Sequence, residues 1–180
     1  MRKILAVIGR PGVGKTTLFK KFIESKNWEN KELIKLVPSL YNEELDLHIL
    51  GKYEEGEVFA GTDRMSMAVM PAAVEFFKSV NSNIIFEGDR LTSTTLFNQL
   101  ADLPDTDFKI FVITADDKLL ENRYEERGSN QSETFLKGRI TKISNIQTNM
   151  EFMFITETFN NNTFEHQTVI LNSIKEFFNV

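Results

Sequence analysis

The stretch Gly9-Arg10-Pro11-Gly12-Val13-Gly14-Lys15-Thr16-Thr17 is spaced for one kind of chemistry. Its first eight residues fit G-x-x-x-x-G-K-S/T. Glycines at this spacing let successive backbone N–H groups turn inward around phosphate oxygens, and a helix opening behind them offers its N-terminus to an anion. Lys15 can reach the β- and γ-phosphates of a nucleoside triphosphate, and the Thr16 hydroxyl can ligate Mg²⁺. Gly9, Pro11, Gly12, Val13, Gly14, Lys15, Thr16 and Thr17 are the expected nucleotide-binding residues, with ATP as donor and Mg²⁺ as metal.

A phosphate loop names a ligand, not a reaction, so the carboxylates decide the rest. NIIFEGDR, residues 83–90, reads as an apolar strand ending in Glu87, Asp89 and Arg90. Strand C-termini in parallel sheets point at the ligand crevice. Glu87 or Asp89 can support Mg²⁺, and Arg90 can hold an anionic acceptor. FAGTDRMSMAV places Asp63 and Arg64 ahead of a helical run. Phosphoryl transfer to an alcohol needs a carboxylate that orients the hydroxyl and takes its proton, and Asp63 suits that role. Arg64 would hold the acceptor; the bland alternative makes Asp63 a helix N-cap. Met65, Met67 and Met70 read as core or pocket wall.

Cations follow further along. Arg123 and Arg127 share a helix face at i, i+4, and Arg139 lies beyond a polar loop with Lys137 and Lys142. Residues 123–142 read as a lid that excludes water while Arg123, Arg127 and Arg139 neutralise the transferring phosphoryl group. There is no D-x-x-G, and Asn30-Lys31 is not followed by a base-reading Asp, so a GTPase is disfavoured. His48 and His166 read as structural or surface residues and Trp28 as packing.

These groups need a frame. The 180 residues are 41% hydrophobic, enough for one domain with a real core. The start MRKILAVIGR resembles a short signal peptide, but its five-residue apolar run flows into the glycine loop and reads as a buried strand. No run of about 18 apolar residues suggests a membrane span. The absence of cysteine leaves no disulfide or thiolate metal site and suits the cytoplasm. Residues 1–35 carry nine Lys/Arg against three acids, a balance of +6, so the remainder of this −5 chain stands at −11. The basic third suits a phosphate-bearing ligand, although a solvated helix face explains most of it.

Apolar runs alternate with helical patterns, which predicts a three-layer α/β/α fold with a mainly parallel central sheet and a helical lid. Strands are expected at Ile4–Ile8, Leu33–Val37 (stopped by Pro38), Leu45–Leu50 (an edge strand), Asn83–Phe86, Lys109–Thr114 and Glu151–Ile155. Helices are expected at Thr16–Ser25, Met65–Val80 (starting or bending near Pro71), Thr92–Ala101 (capped by Thr92), Asp116–Arg127, from after a polar loop at Gly128–Ser132 to about Asn149, and Phe164–Phe178. Thr156–Thr163 reads as a loop bordering the adenine.

Together, GRPGVGKTT, the FEGDR strand end and the Arg123/Arg127 pair resemble the small P-loop kinases: adenylate-kinase-like enzymes, shikimate kinase and gluconate kinase. Nucleoside monophosphate kinases carry D-G-F/Y-P-R where this chain has Glu87-Gly88-Asp89-Arg90, which argues away from a simple mononucleotide acceptor. FAGTDRMSMAV, IIFEGDRL and RGSNQSETFLKGRITKISN are more closely similar to phage-encoded P-loop kinases that phosphorylate 5-hydroxymethyluracil within DNA. That resemblance implies ATP as donor, a base hydroxymethyl group as acceptor, Asp63 as its base, Arg64, Arg90 and lid cations on DNA phosphates, and a host-cell cytoplasmic location. An acceptor base inside a duplex would have to be reached by flipping or local distortion. Two readings stand beside it: a kinase of a free nucleotide or small hydroxyl-bearing metabolite, and a non-catalytic ATP-binding switch.

Overall fold

The structure is a computed structural model of the 180-residue chain and describes all residues except 25, 58–59 and 127–131. The chain runs β1 (Arg2–Gly9), α1 (Lys15–Glu24), β2 (Glu29–Ile34), β3 (Val37–Asn42), β4 (Leu47–Leu50), α2 (Met70–Ser79), β5 (Asn83–Glu87), α3 (Thr94–Ala101), β6 (Thr106–Thr114), α4 (Asp117–Glu126), α5 (Glu133–Gln147), β7 (Thr156–Asn160) and α6 (Phe164–Phe178). The strands form one sheet in the order β2-β3-β4-β5-β1-β6-β7.

The unbroken apolar run Ile4–Ile8 follows from β1's place mid-sheet, parallel to β5 on one side and β6 on the other. A parallel strand covered on both faces needs no polar side. Strand alternation then divides the core. Ile4, Ala6 and Ile8 face Phe76 and Phe77 of α2, Phe97 of α3 and Ile146 of α5. Leu5 and Val7 face Leu18, Phe19 and Phe22 of α1 and Ile170 and Ile174 of α6. This is the expected α/β/α sandwich. Its sheet is mainly parallel, with antiparallel pairing confined to β2–β3 and β3–β4. Among the described residues, no helix is long and apolar enough to cross a membrane.

Several expected boundaries are corrected. Pro38 does not stop a strand; it lies within β3, opposite the irregular stretch of β2 between Lys31 and Ile34. No ladder N–H is required there, and the Pro38 carbonyl accepts from Gly51 N at 2.8 Å. The chain reverses just before it at Leu36, which takes the left-handed φ of 75°. β4 is not an edge strand: it lies between β3 and β5, and all four of its residues are buried. Met65–Val69 stays outside α2, which has Pro71 in its first turn, where proline's missing N–H costs nothing. Ser93, not Thr92, caps α3 by accepting from Leu96 N; the Thr92 hydroxyl donates to Gly88 O at 2.7 Å instead.

The last strand is also displaced. Residues Met150–Phe152 form a short 3-10 turn, and Phe152 packs against Phe97 in the core while Phe154 is 89% exposed. The apolar run was therefore no strand. β7 is the polar segment beyond it, whose register is set by parallel pairing of Thr156–Asn160 with Ile110–Thr114. The segment expected as an adenine-side loop is thus mostly strand.

Candidate functional site

The parallel strands β1, β5, β6 and β7 end on one side of the sheet, and the loops leaving them build the site. The loop after β1 wraps residues 10–14 into the N-terminus of α1. Lys15 Nζ donates to the carbonyls of Gly9 at 2.9 Å and Arg10 at 3.2 Å, so the ammonium closes over its own loop.

Other elements brace that loop. Asn161, buried just past β7, donates through Nδ2 to Val13 O at 2.7 Å. Arg123 of α4 donates to Gly12 O at 2.9 Å and to Asn161 O at 3.2 Å. The Tyr124 hydroxyl donates to Pro11 O at 2.6 Å. Arg10 pairs with Asp117 at the start of α4 at 2.7 Å. Arg123, expected among the lid cations, therefore stands against the backbone of the phosphate loop. Arg127 lies outside the described residues.

Glu87 is the last residue of β5, in register beside Val7. Its side chain is buried, and Oε1 accepts from the Thr16 hydroxyl at 3.1 Å. Burial pushes its carboxyl up to about 7; Lys15 opposes this, Asp63 adds to it, and the Thr16 hydrogen bond opposes it. Among the described residues, no group of three or more His, Cys, Asp or Glu is arranged to hold a metal alone. Mg²⁺ does not need one, since it is commonly held by one or two protein oxygens together with substrate phosphates and water. Thr16 Oγ1 and Glu87 Oε1 are hard oxygen donors side by side at the phosphate loop, and they fit that ion.

Asp63 lies in the short 3-10 turn Thr62–Arg64 and does not cap α2, whose N-cap is Val69. Its Oδ1 accepts from the backbone N–H groups of Asp89 at 2.8 Å and Arg90 at 3.0 Å. Thr62 is fully buried and donates to Glu87 O at 2.8 Å. These contacts knit the turn to the end of β5 and require Gly88. With φ 112°, a Cβ there would stand 2.7 Å from Thr62 Oγ1 and 3.1 Å from the Asp63 carboxylate.

The second carboxylate of the strand end turns elsewhere. Asp89 pairs with Arg139 of α5 and with Lys142, whose Nζ reaches Oδ1 at 3.1 Å and Asp89 O at 3.2 Å. Burial lowers Lys142 to about 8, nearby Arg139 adds to this, and Asp63 opposes it. Arg90 contacts Met67 Sδ, and its Nε is enclosed without a partner among the described residues. Arg64 is held by Glu54 at 3.1 Å and Glu57 at 3.2 Å. Met65 is buried, but Met67 is 81% exposed and forms no part of the core.

The arrangement thus has a phosphate end (Lys15, Thr16, Glu87) and a second end where Asp63, Asp89, Arg90, Arg139 and Lys142 meet. Sequence reasoning missed Tyr124 and Asn161. Tyr124 adjoins Arg123 on one helix, and Asn161 sits in a run of asparagines; neither position carries a signal of its own.

No family description matches the chain, and no curated protein matches it by sequence. Among solved structures, a gluconokinase from Sinorhizobium meliloti 1021 aligns over 98% of this chain and 96% of its own, with a TM-score of 0.52 and 12% identity. The chain shares that protein's fold, a helix-flanked, mainly parallel sheet. An uncharacterized protein from Eubacterium ventriosum ATCC 27560 aligns over 99% of both chains with 19% identity and a TM-score of 0.48. In this fold the loop at residues 9–16 occupies the turn from the first buried strand to the first helix.

Proposed function

We propose that this protein is an ATP-dependent kinase with an alcohol acceptor. The observation that carries the reading is the Thr16–Glu87 contact at the mouth of a complete phosphate loop, with a second carboxylate, Asp63, held beyond it by two backbone N–H groups. Bound Mg²⁺ would neutralise charge on the β- and γ-phosphates. Lys15 would leave its own loop carbonyls for those phosphates, and Asp63 would accept the proton of the acceptor hydroxyl. The acceptor oxygen forms its bond to the γ-phosphorus as the bond to the β,γ-bridging oxygen breaks, and ADP leaves. Residues 123–142 act as the lid. Arg139, on α5, would exchange Asp89 for the transferring group; Arg127 is assigned the same role from its spacing alone.

The finer acceptor we assign is the hydroxymethyl group of 5-hydroxymethyluracil in DNA, supported by the resemblance of the FAGTDRMSMAV, IIFEGDRL and RGSNQSETFLKGRITKISN segments. Arg90, Arg139 and Lys142 gather where a negatively charged acceptor would lie. A small anionic metabolite such as a sugar acid would use the same cations, and the fold shared with a gluconokinase favours that second reading.

Transfer of labelled γ-phosphate tests both. The acceptors are DNA containing 5-hydroxymethyluracil, unmodified DNA, free nucleosides and gluconate, with Asp63→Asn in parallel. Label on the modified DNA alone, lost in the variant, is the expected result. Label on gluconate or a nucleoside with DNA blank replaces the acceptor and keeps the kinase. ATP binding with no labelled acceptor overturns the kinase reading in favour of a nucleotide-dependent switch.

A further inference from the structure

Tyr53 carries a buried polar group that the phosphate site does not use. Its ring stacks on Phe19 of α1, with centroids 5.9 Å apart and planes 6° apart. Its hydroxyl is enclosed and has no hydrogen-bond partner among the described residues. Folded proteins rarely leave such a group unpaired unless a ligand or water completes it.

The neighbouring backbone fixes where this hydroxyl sits. Lys52 and Gly61 pair as a two-residue antiparallel bridge, N to O at 3.2 Å and 2.9 Å, which lays Tyr53 alongside the segment entering Asp63. Gly61, with φ 68°, rests directly on Glu87: a Cβ there would stand 2.7 Å from Oε1. The charges of Glu87 and Asp63 both act on the Tyr53 phenol, which places it near the two carboxylates that define the site. Burial, then the charges of Glu87 and Asp63, hold its phenol well above its usual range, so it remains a donor. Asp63 is exposed to solvent. Its Oδ1 is engaged by Asp89 N and Arg90 N, and Oδ2 makes no hydrogen bond among the described residues. An alcohol oxygen has one proton to give and lone pairs to receive with. Seated between the two, it would donate to Asp63 and accept from Tyr53.

We propose that the Tyr53 hydroxyl is an acceptor-binding group, donating its hydrogen bond to the alcohol oxygen that Asp63 orients; the proposal rests on the kinase reading above.

The test is Tyr53→Phe, which keeps the ring and its stack. The chain has three tyrosines, so carbon-13 labelling at Cζ gives three signals, and the variant assigns Tyr53. The Tyr53 signal is expected to stay in place when Mg²⁺ and a non-hydrolysable ATP analogue are added, and to move on addition of whichever panel acceptor is phosphorylated. The variant is expected to raise KM for that acceptor about five-fold, as loss of one hydrogen bond implies, with affinity for the ATP analogue within about two-fold of wild type. An unchanged acceptor KM overturns the proposal and leaves the kinase standing. So does a Tyr53 signal that moves fully with Mg²⁺ and analogue alone, which would place the hydroxyl on the donor side. Absence of transfer to every acceptor overturns the kinase reading and this proposal with it.

Discussion

The Thr16 hydroxyl and Oε1 of Glu87 stand 3.1 Å apart across 71 positions of sequence, while Asp89, two residues further on, turns to Arg139 and Lys142. Two carboxylates at one strand end are thereby given different surroundings. One is buried against the phosphate loop; the other is a partly exposed anchor for α5.

That division separates the two in metal binding. Glu87→Gln is expected to weaken Mg²⁺-dependent ATP affinity about ten-fold, in line with loss of one charged ligand-supporting group. Asp89→Asn is expected to stay within about two-fold of wild type, because only part-exposed ion pairs are lost. Calorimetric titration of ATP with and without Mg²⁺ checks this; equal losses in the two variants would refute the division.

Glu87 also sets a pH dependence in the nucleotide-free protein. Its carboxyl is raised from 4.5 to about 7, so the folded state holds a proton that the unfolded state has already released. The favourable contribution is complete below pH 4.5 and is lost as pH rises through 7. The full span is worth about 3 kcal/mol. Glu87→Gln is expected to remove this loss, gaining stability relative to wild type between pH 5 and pH 8. Urea unfolding across that range measures it.

His48 works in the opposite direction. It is buried between Tyr41 and Phe76, with Nδ1 3.0 Å from the Ser39 hydroxyl, and burial lowers it to about 4. The neutral ring's contribution is complete above pH 6.5 and is lost as pH falls toward 4, again over about 3 kcal/mol. His48→Gln is expected to flatten that acid limb, seen as a smaller fall in urea midpoint between pH 7 and pH 5. A limb as steep as in wild type would assign acid sensitivity to other groups.

Asn161→Ala withdraws the donor from Val13 O inside the phosphate loop. The expected cost is about 1–3 kcal/mol in unfolding free energy, as for a buried hydrogen bond that loses one partner. ATP affinity should fall with it, because the loop loses its brace. Unfolding and nucleotide titration on the same preparation check both; a stability loss with unchanged ATP affinity would show that the loop holds its shape without Asn161.

The phosphate loop was legible because its chemistry is contiguous. Glycine spacing, the lysine and the threonine lie within nine residues, and local backbone geometry does the rest. The sandwich was legible too, since Ile4–Ile8 and Ile84–Phe86 are apolar runs that a doubly covered strand explains. Local pattern failed where pairing partners decide. Pro38 reads as a stop until the irregular β2–β3 pairing absorbs it, and Thr156–Asn160 is a strand only because β6 offers it an edge. The choice between Glu87 and Asp89 at Thr16, the grip of Asn161 on Val13 and the enclosed hydroxyl of Tyr53 all depend on residues far apart in the chain. Such contacts follow from how the strands order and how the loops beyond them meet, and no single segment carries that information.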